Sequence, residues 1–249
     1  MKQFGKSVFG LIILILLFAG FTAVSAQGTE ETFDTEFWDR GWEKYTIAGN
    51  PQGLYYNLGK KRLSFNLPVY ETYAFLINPE ITGEDVTVEA TFENIRSASA
   101  SYSVVCRFTE DGWYEFRTTV AGKEAGSYKV LKYDSYLKEQ NKAPYTVLHP
   151  GMDRYNTYDI NLGMNKKNTL KMICEGETIR IFINDKEQTP VKFAYLSDSD
   201  FSAGAVGFGA QSYGDGIVDI DVLKFSTTGT QVSEPGENGF LFPFIKNNK

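Results

Sequence analysis

Alternation is the dominant pattern along this chain. In RLSFNLP, Leu63, Phe65 and Leu67 fall on one side while Ser64 and Asn66 fall on the other. In DVTVEATFENI, Val86, Val88, Ala90 and Phe92 alternate with Thr87, Glu89, Thr91 and Glu93, and in TIRIFIND the residues Ile179, Ile181 and Ile183 share a face. A period of two, rich in β-branched and aromatic residues, marks a half-buried strand. Further strands are expected in ETYAFLI, SYSVVCRF, WYEFRTTV, SYKVLKY, NTLKMICEG, VKFAYL, AVGFGAQ and GIVDIDVLKFS. Turn residues separate them: Glu110-Asp111-Gly112, Glu175-Gly176, Asn184-Asp185 and Gly214-Asp215-Gly216. No segment carries a sustained helical period. Residues 134–157 hold Pro144, Pro150 and a Lys-Glu-Gln-Asn-Lys run, and read as a long loop with at most a short helix. Many short strands at regular spacing imply an all-β sandwich or barrel. No repeat or change of composition interrupts residues 30–227, so one domain is expected over 27–227.

The ends differ from this middle. Lys2 and Lys6 precede an apolar run from Val8 to Phe21, followed by Ala23-Val24-Ser25-Ala26. A basic start, a short apolar centre and small residues before a cleavage point predict a signal peptide over 1–26, and hence a secreted, extracellular or cell-envelope protein. The run falls short of the ~20 residues that span a bilayer, so no membrane span is expected after cleavage. The tail, 228–249, is polar and then turns apolar at Phe240-Leu241-Phe242-Pro243-Phe244-Ile245. It is expected to dock on the domain or cover an edge strand, with partner binding as the alternative.

Composition removes several classes of chemistry. Of 249 residues, 42% are hydrophobic, enough for a core, and the net charge of −6 argues against nucleic acid as a partner. The single histidine, His149, makes a multi-histidine zinc site impossible within one chain. The two cysteines, Cys106 and Cys174, lie in apolar strand-like runs and not in a CxxC arrangement. Export makes a disulfide between them permissible, and two buried free thiols are the alternative.

Three stretches together carry a resemblance. The first is Phe37-Trp38 through Gly41-Trp42, followed by Leu63-Ser64-Phe65. The second is Cys106-Arg107-Phe108, a polar turn, and Gly112-Trp113-Tyr114-Glu115-Phe116. The third is Cys174-Glu175-Gly176, Ile181-Phe182-Ile183-Asn184, Val206-Gly207-Phe208 and Val218-Asp219-Ile220-Asp221. Their order over residues 32–226 resembles secreted bacterial domains of the concanavalin A-like lectin/glucanase superfamily, in its laminin G-like and 3-keto-disaccharide hydrolase-like branches. The resemblance implies a jelly-roll β-sandwich of two antiparallel sheets, one concave, with sugars bound on its outer face in the carbohydrate-binding members.

Three chemistries are then weighed. Glycoside hydrolysis needs two opposed carboxylates, one protonated and one ionised. Glu84 and Asp85 are adjacent and point to opposite faces, whereas Glu89 and Glu93 share a face that reads as solvated, so no convincing catalytic pair is found. Asp219 and Asp221 share a strand face with Asp215 near them; oxygen donors of this kind leave Ca²⁺ open as a cofactor, against a plain polar face, and no metal ligand set is assigned. The binding reading rests on Arg107, Trp113, Tyr114, Glu115 and Arg117, which crowd one hairpin. A flat ring covers the C–H face of a sugar while Arg and carboxylate groups bond its hydroxyls. A one-residue change in the turn moves Arg107 between the face of Tyr114 and that of Trp113, Glu115 and Arg117. If Cys106 faces inward, Arg107 is expected to face out; a cross-strand ion pair with Glu115 among core aromatics is the alternative. The expected function is a non-catalytic module that binds extracellular carbohydrate or a cell-surface ligand. A glycoside hydrolase and an envelope interaction protein are the alternatives.

Overall fold

The computed structural model describes residues 27–33, 41–49, 54–57, 60–67, 71–149, 154–188, 196–213 and 218–229. In chain order these form β1 (Gln27–Glu31), β2 (Glu43–Ala48), β3 (Leu54–Asn57), β4 (Arg62–Leu67), β5 (Tyr73–Gly83), β6 (Val86–Asn94), β7 (Ala100–Phe108), β8 (Gly112–Ala121) and β9 (Ser127–Asp134). After helix α1 (Ser135–Glu139) come β10 (Tyr145–His149), β11 (Tyr155–Asn156), β12 (Lys166–Glu175), β13 (Thr178–Ile183), β14 (Lys186–Glu187), β15 (Leu196–Ser197), β16 (Gly204–Ser212) and β17 (Val218–Gly229). The expected signal peptide, the tail beyond Gly229, Phe37-Trp38, residues 191–195 of VKFAYL and the Gly214-Asp215-Gly216 turn lie outside the described residues.

Two antiparallel sheets face each other. The first runs β14-β13-β12-β6-β17-β4-β3, with β1 beside β17 and β15 beside β13. The second runs β10-β9-β8-β7-β16-β5-β2, with β11 beside β9. The alternating apolar residues read from the sequence point into the space between: Leu63, Phe65, Val88, Phe92, Met172 and Ile181 from the first sheet meet Val104, Phe116, Val206 and Phe208 from the second. Phe208 sits at the centre, with ring centroids of Trp42 and Phe225 at 5.3 and 5.2 Å and of Phe65 and Phe92 at 6.2 and 6.3 Å. Fully burying rings of this size contributes about 1.5–3 kcal/mol each. The segment expected to be a loop, 134–157, contains α1 and the paired strands β10 and β11. Asp134 caps α1, accepting from the Leu137 N–H, and Pro144 closes the connection by accepting from the Asp134 N–H.

One irregularity shapes the end of the sandwich. In β7, Val105 pairs with Gly207 and Phe108 with Ala205, so Cys106 and Arg107 together oppose a single residue of β16. This is a β-bulge, and Arg107 adopts φ of 53°. The extra residue breaks the alternation. Cys106 faces inward and forms a disulfide with Cys174 of β12, joining the two sheets across a Cα–Cα distance of 6.8 Å. Arg107 then does not face outward, as strict alternation predicts. Its side chain crosses the end of the sandwich, 1% exposed. Nε and Nη2 donate to the Glu84 carbonyl at 2.9 and 2.7 Å, Nη2 to the Gly176 carbonyl at 2.6 Å, and Nη1 to the Phe201 carbonyl at 3.1 Å. The planar guanidinium thus closes three turns from different parts of the chain, which a lysine cannot do.

Replacing Arg107 with Met is expected to lower unfolding free energy by at least about 3 kcal/mol, because three buried carbonyls lose their donor at roughly 1–3 kcal/mol each. Arg107→Lys should recover less than half of that loss. Urea denaturation of the two variants measures it, and a wild-type midpoint for Arg107→Met would refute the role.

Candidate functional site

The outer face of the second sheet carries a second, smaller core. Phe75, Ile77, Val105, Phe108, Trp113, Tyr133 and Ala205 bury themselves there, with Tyr45, Ile47, Tyr73 and Tyr145 half-buried around them. Phe108 reaches this face because the bulge moved it there. It stacks on Trp113 at 4.9 Å, and Trp113 stacks on Tyr133 at 3.9 Å. Small residues in β16 make room: an added Cβ on Gly209 would overlap the Phe75 ring, and one on Gly207 the Ile77 side chain. Phe75 and Ile77 therefore lean over β16 into the space its glycines leave.

These contacts require the sheet to curl. Tyr45 of β2 and Trp113 of β8 are four strand places apart in the sheet order, about 19 Å on a flat sheet. Their ring centroids are 5.5 Å apart. Lys138, in the helix that follows β9, donates to the Ile47 carbonyl of β2 at 3.1 Å, again spanning the face. The outer face curls over a packed apolar cluster, and half-buried Tyr45, Tyr73 and Tyr145 stand at its margin.

Beside this cluster lies a charged pair. Glu115 and Arg117 are two residues apart on β8 and so share a face. The Arg117 Nε and Nη2 donate to the two carboxylate oxygens of Glu115 at 2.7 and 2.8 Å, and Tyr145 Oη donates to the same carboxylate at 3.0 Å. The guanidinium lies 4.8 Å from the Tyr145 ring centre and 5.8 Å from that of Tyr73. Glu115 is 1% and Arg117 6% exposed. Burial pushes the Arg117 pKa down, but the Glu115 carboxylate overrides it and holds the guanidinium charged. The pair leaves Arg117 Nη1 without an acceptor among the described residues. Beyond Arg117 this face turns polar, with Ser101, Ser103, Thr119 and Gln211.

Of the five binding residues expected from sequence, Trp113, Glu115 and Arg117 come together on this outer face. Arg107 and Tyr114 do not. Tyr114 points inward opposite Cys106, and its hydroxyl donates to Asp198 and accepts from the Phe201 N–H at 3.1 Å. Burial, reinforced by Asp198, pushes the Tyr114 pKa up. Asp198 is pushed up by its own burial, but donors from Tyr114 and Lys132 bring it below the usual carboxylate range. The sequence reading missed Tyr45 and Gln211. Tyr45 sits in EKYTIA, where the alternation of Tyr45 and Ile47 with Lys44 and Thr46 was the available signal.

The other acidic candidates are placed elsewhere. Asp85 accepts from the Gly176 N–H at 2.8 Å, and Glu84 supplies a carbonyl to Arg107. Glu89 pairs with Lys171 at 2.7 Å. Glu93, expected to be solvated, is 8% exposed and bound to Arg62 at 2.6 Å. The same Arg62 Nη1 reaches Asp221 at 3.3 Å, and Ser64 Oγ donates to Asp221 as well. Asp221 is thus engaged by an arginine on the outer face of the first sheet. Asp215 and the side chain of Asp219 lie outside the described residues. His149 is 6% exposed, stacked near Tyr128 and Tyr155, with Nε2 3.4 Å from the Tyr128 hydroxyl.

No protein-family model and no curated protein matches the chain. Among solved structures, it is similar to a Bacillus licheniformis β-glucanase at 10% identity and a TM-score of 0.51, covering 82% of this chain and 99% of that one. It is also similar to a glycosyl hydrolase family 16 protein from Mycobacterium smegmatis at 12% identity and 0.51, covering 80% and 98%. A Bacillus subtilis protein of unknown function with a galectin-like fold aligns at 9% identity and 0.52, covering 80% and 94%. The fold is the concanavalin A-like jelly roll. At these identities the likeness describes architecture alone.

Two measurements probe the site and the lone imidazole. Glu115→Gln should destabilise the protein by about 3 kcal/mol, since it strands a buried guanidinium, while Glu115→Leu with Arg117→Met should regain most of that stability. Burial lowers the His149 pKa below its unfolded value. Its contribution is therefore complete above the unfolded pKa, near 6.5, and is lost as pH falls toward the folded pKa. Melting temperature should drop between pH 7 and pH 5, and His149→Gln should flatten that part of the profile; an unchanged slope would remove His149 as its cause.

Proposed function

We propose that this is an exported, non-catalytic carbohydrate-binding module that takes its ligand on the outer face of the second sheet. The observation that carries the reading is the arrangement of half-buried Tyr45, Tyr73 and Tyr145 on the curled face, beside a buried Glu115–Arg117 pair with one guanidinium nitrogen unused among the described residues. Rings supply flat apolar surfaces for sugar C–H faces, and the nitrogen supplies donors for hydroxyls. In the free protein Trp113, Glu115 and Arg117 are buried, so ligand entry turns the tyrosine rim outward. The glucanase and galectin-like neighbours support the reading at the level of architecture. The intersheet disulfide suits an oxidising compartment, as expected if residues 1–26 are a signal peptide. Among the described residues no helix is long and apolar enough to cross a membrane. The reading invokes no metal and no nucleic acid.

Hydrolysis is the weaker reading. Both oxygens of Glu115 are held by Arg117, and Tyr145 occupies one of them again. With both oxygens engaged, that carboxylate is not free to serve as a nucleophile or an acid. Glu43 alternates onto the same face, and burial raises its pKa.

Affinity electrophoresis in gels containing soluble polysaccharides tests the proposal. Tyr45→Ala and Tyr145→Ala should each weaken retention about five- to tenfold, the scale of one lost ring contact. Tyr158→Ala, at a fully exposed ring, should bind as wild type. Equal retention of all four proteins, or retention of none by any polysaccharide, would end the proposal.

A further inference from the structure

The polar end of this outer face contains a buried amide that the fold leaves without well-formed hydrogen bonds. Gln211 is 4% exposed. Neither its amide oxygen nor its amide nitrogen makes a hydrogen bond of good geometry, and the Tyr73 hydroxyl is the group close enough to interact with it. Its register places it between Tyr73 of β5 and Ser101 of β7. Its neighbour Ala210 packs into the main core, so the Gln211 side chain stands on the outer face. Hydroxyls surround it: Ser101 Oγ donates to Tyr213 Oη at 3.0 Å and lies 2.9 Å from Thr119 Oγ1. Arg117, with its unused Nη1, borders the same space, close enough to Tyr213 and Tyr73 to interact with both. At the aromatic end, Trp113 Nε1 is likewise buried without an acceptor. A buried amide without well-formed hydrogen bonds is costly, and native proteins seldom keep one without a reason.

We infer that Gln211 reads the ligand and that the ligand is an uncharged saccharide presenting neighbouring hydroxyl groups. An amide offers one acceptor and one donor side by side. Two adjacent hydroxyls answer both, one donating to the carbonyl oxygen and one accepting from the nitrogen. Arg117 Nη1 and Trp113 Nε1 add donors that a hydroxyl oxygen can satisfy. Charge points the same way. Glu115 already neutralises Arg117 in a fork geometry. The remaining charges that alternate onto this face, Glu43 and Lys129, are one of each sign. An anionic sugar entering beside Arg117 meets the Glu115 carboxylate, and Lys129, opposite Arg117 on β9, is matched in charge by Glu43, so these groups give the face no net positive charge to draw an anion. This inference rests on the carbohydrate-binding reading and specifies the ligand class at that site.

The test has a ligand-binding arm and a stability arm. Wild-type protein, Gln211→Met and Gln211→Asn are titrated with uncharged laminari-, cello- and manno-oligosaccharides and with acidic oligogalacturonate and heparin fragments. Each protein is also melted without ligand. Wild type should bind at least one uncharged probe and no acidic one. Gln211→Met should lose at least tenfold in affinity and melt about 2–4 °C higher, because an orphaned amide is replaced by an apolar chain of similar length. Gln211→Asn should melt like wild type and bind more weakly, its amide drawn back by one methylene. Unchanged affinity in Gln211→Met, a lower melting point for it, or a preference for the acidic probes would overturn this inference alone. Binding of no probe by wild type would overturn the carbohydrate reading itself, and this inference with it.

Discussion

One extra residue in β7 sets the character of both faces of the second sheet. A strand without it would send Cys106 inward, Arg107 outward and Phe108 inward again. With it, Cys106 still meets Cys174 across the sandwich, Arg107 swings across the end, and Phe108 emerges on the outer face against Trp113. The left-handed backbone at Arg107 costs about 1–3 kcal/mol. Four bonds from one guanidinium to three carbonyls, and a covalent link beside it that closes a loop of 68 residues, offset that cost. In the chain-entropy account the link alone is worth about 4 kcal/mol. The facing strand must leave room. A Cβ on Gly204 would come within 2.6 Å of the Arg107 carbonyl carbon and the Phe108 oxygen, so bulge and glycine form one device.

The outer cluster follows from that device. An antiparallel sheet normally presents a wet, alternating outer face. Here Phe75 packs over Gly209, Phe108 and Trp113 stack beside it, and the curled sheet brings Tyr45 and Tyr145 from opposite edges to the same cluster. The result is a second apolar cluster on the side that should be solvated. Polar groups caught in it, the Glu115–Arg117 pair and the Gln211 amide, are held in a setting where pairing is worth much and orphaning costs much. A fold needing only stability would have placed apolar residues there.

The main core was legible in the sequence because a period of two survives wherever one face is buried. Leu63, Phe65, Val88, Phe92 and Ile181 all point where their alternation says. The outer face was only half legible. Trp113, Glu115 and Arg117 share a face because β8 is regular between them, and alternation finds them. Arg107 was misplaced because a bulge is a break in the very period used to read the strand, and nothing in SVVCRFTEDGW marks it. Tyr45 was missed because its partners are four strands away, a proximity created by curvature and not by spacing along the chain. The 134–157 segment hid two short strands, since Tyr145–His149 gains its structure from pairing with β9.

The two arginines of this hairpin show how similar sequence contexts diverge in physical role. Arg107 and Arg117 flank the same turn, and both are nearly inaccessible to water. All three nitrogens of Arg107 are committed to backbone carbonyls, acceptors that no ligand can replace without unfolding the end of the sandwich. Arg117 is committed to one carboxylate through two nitrogens and keeps its third toward a space lined by hydroxyls and an idle amide. A guanidinium used up by the fold is a structural clamp. One that the fold leaves incomplete, next to another incomplete group on the same surface, is where a hydroxyl-bearing guest gains hydrogen bonds that the protein alone does not make.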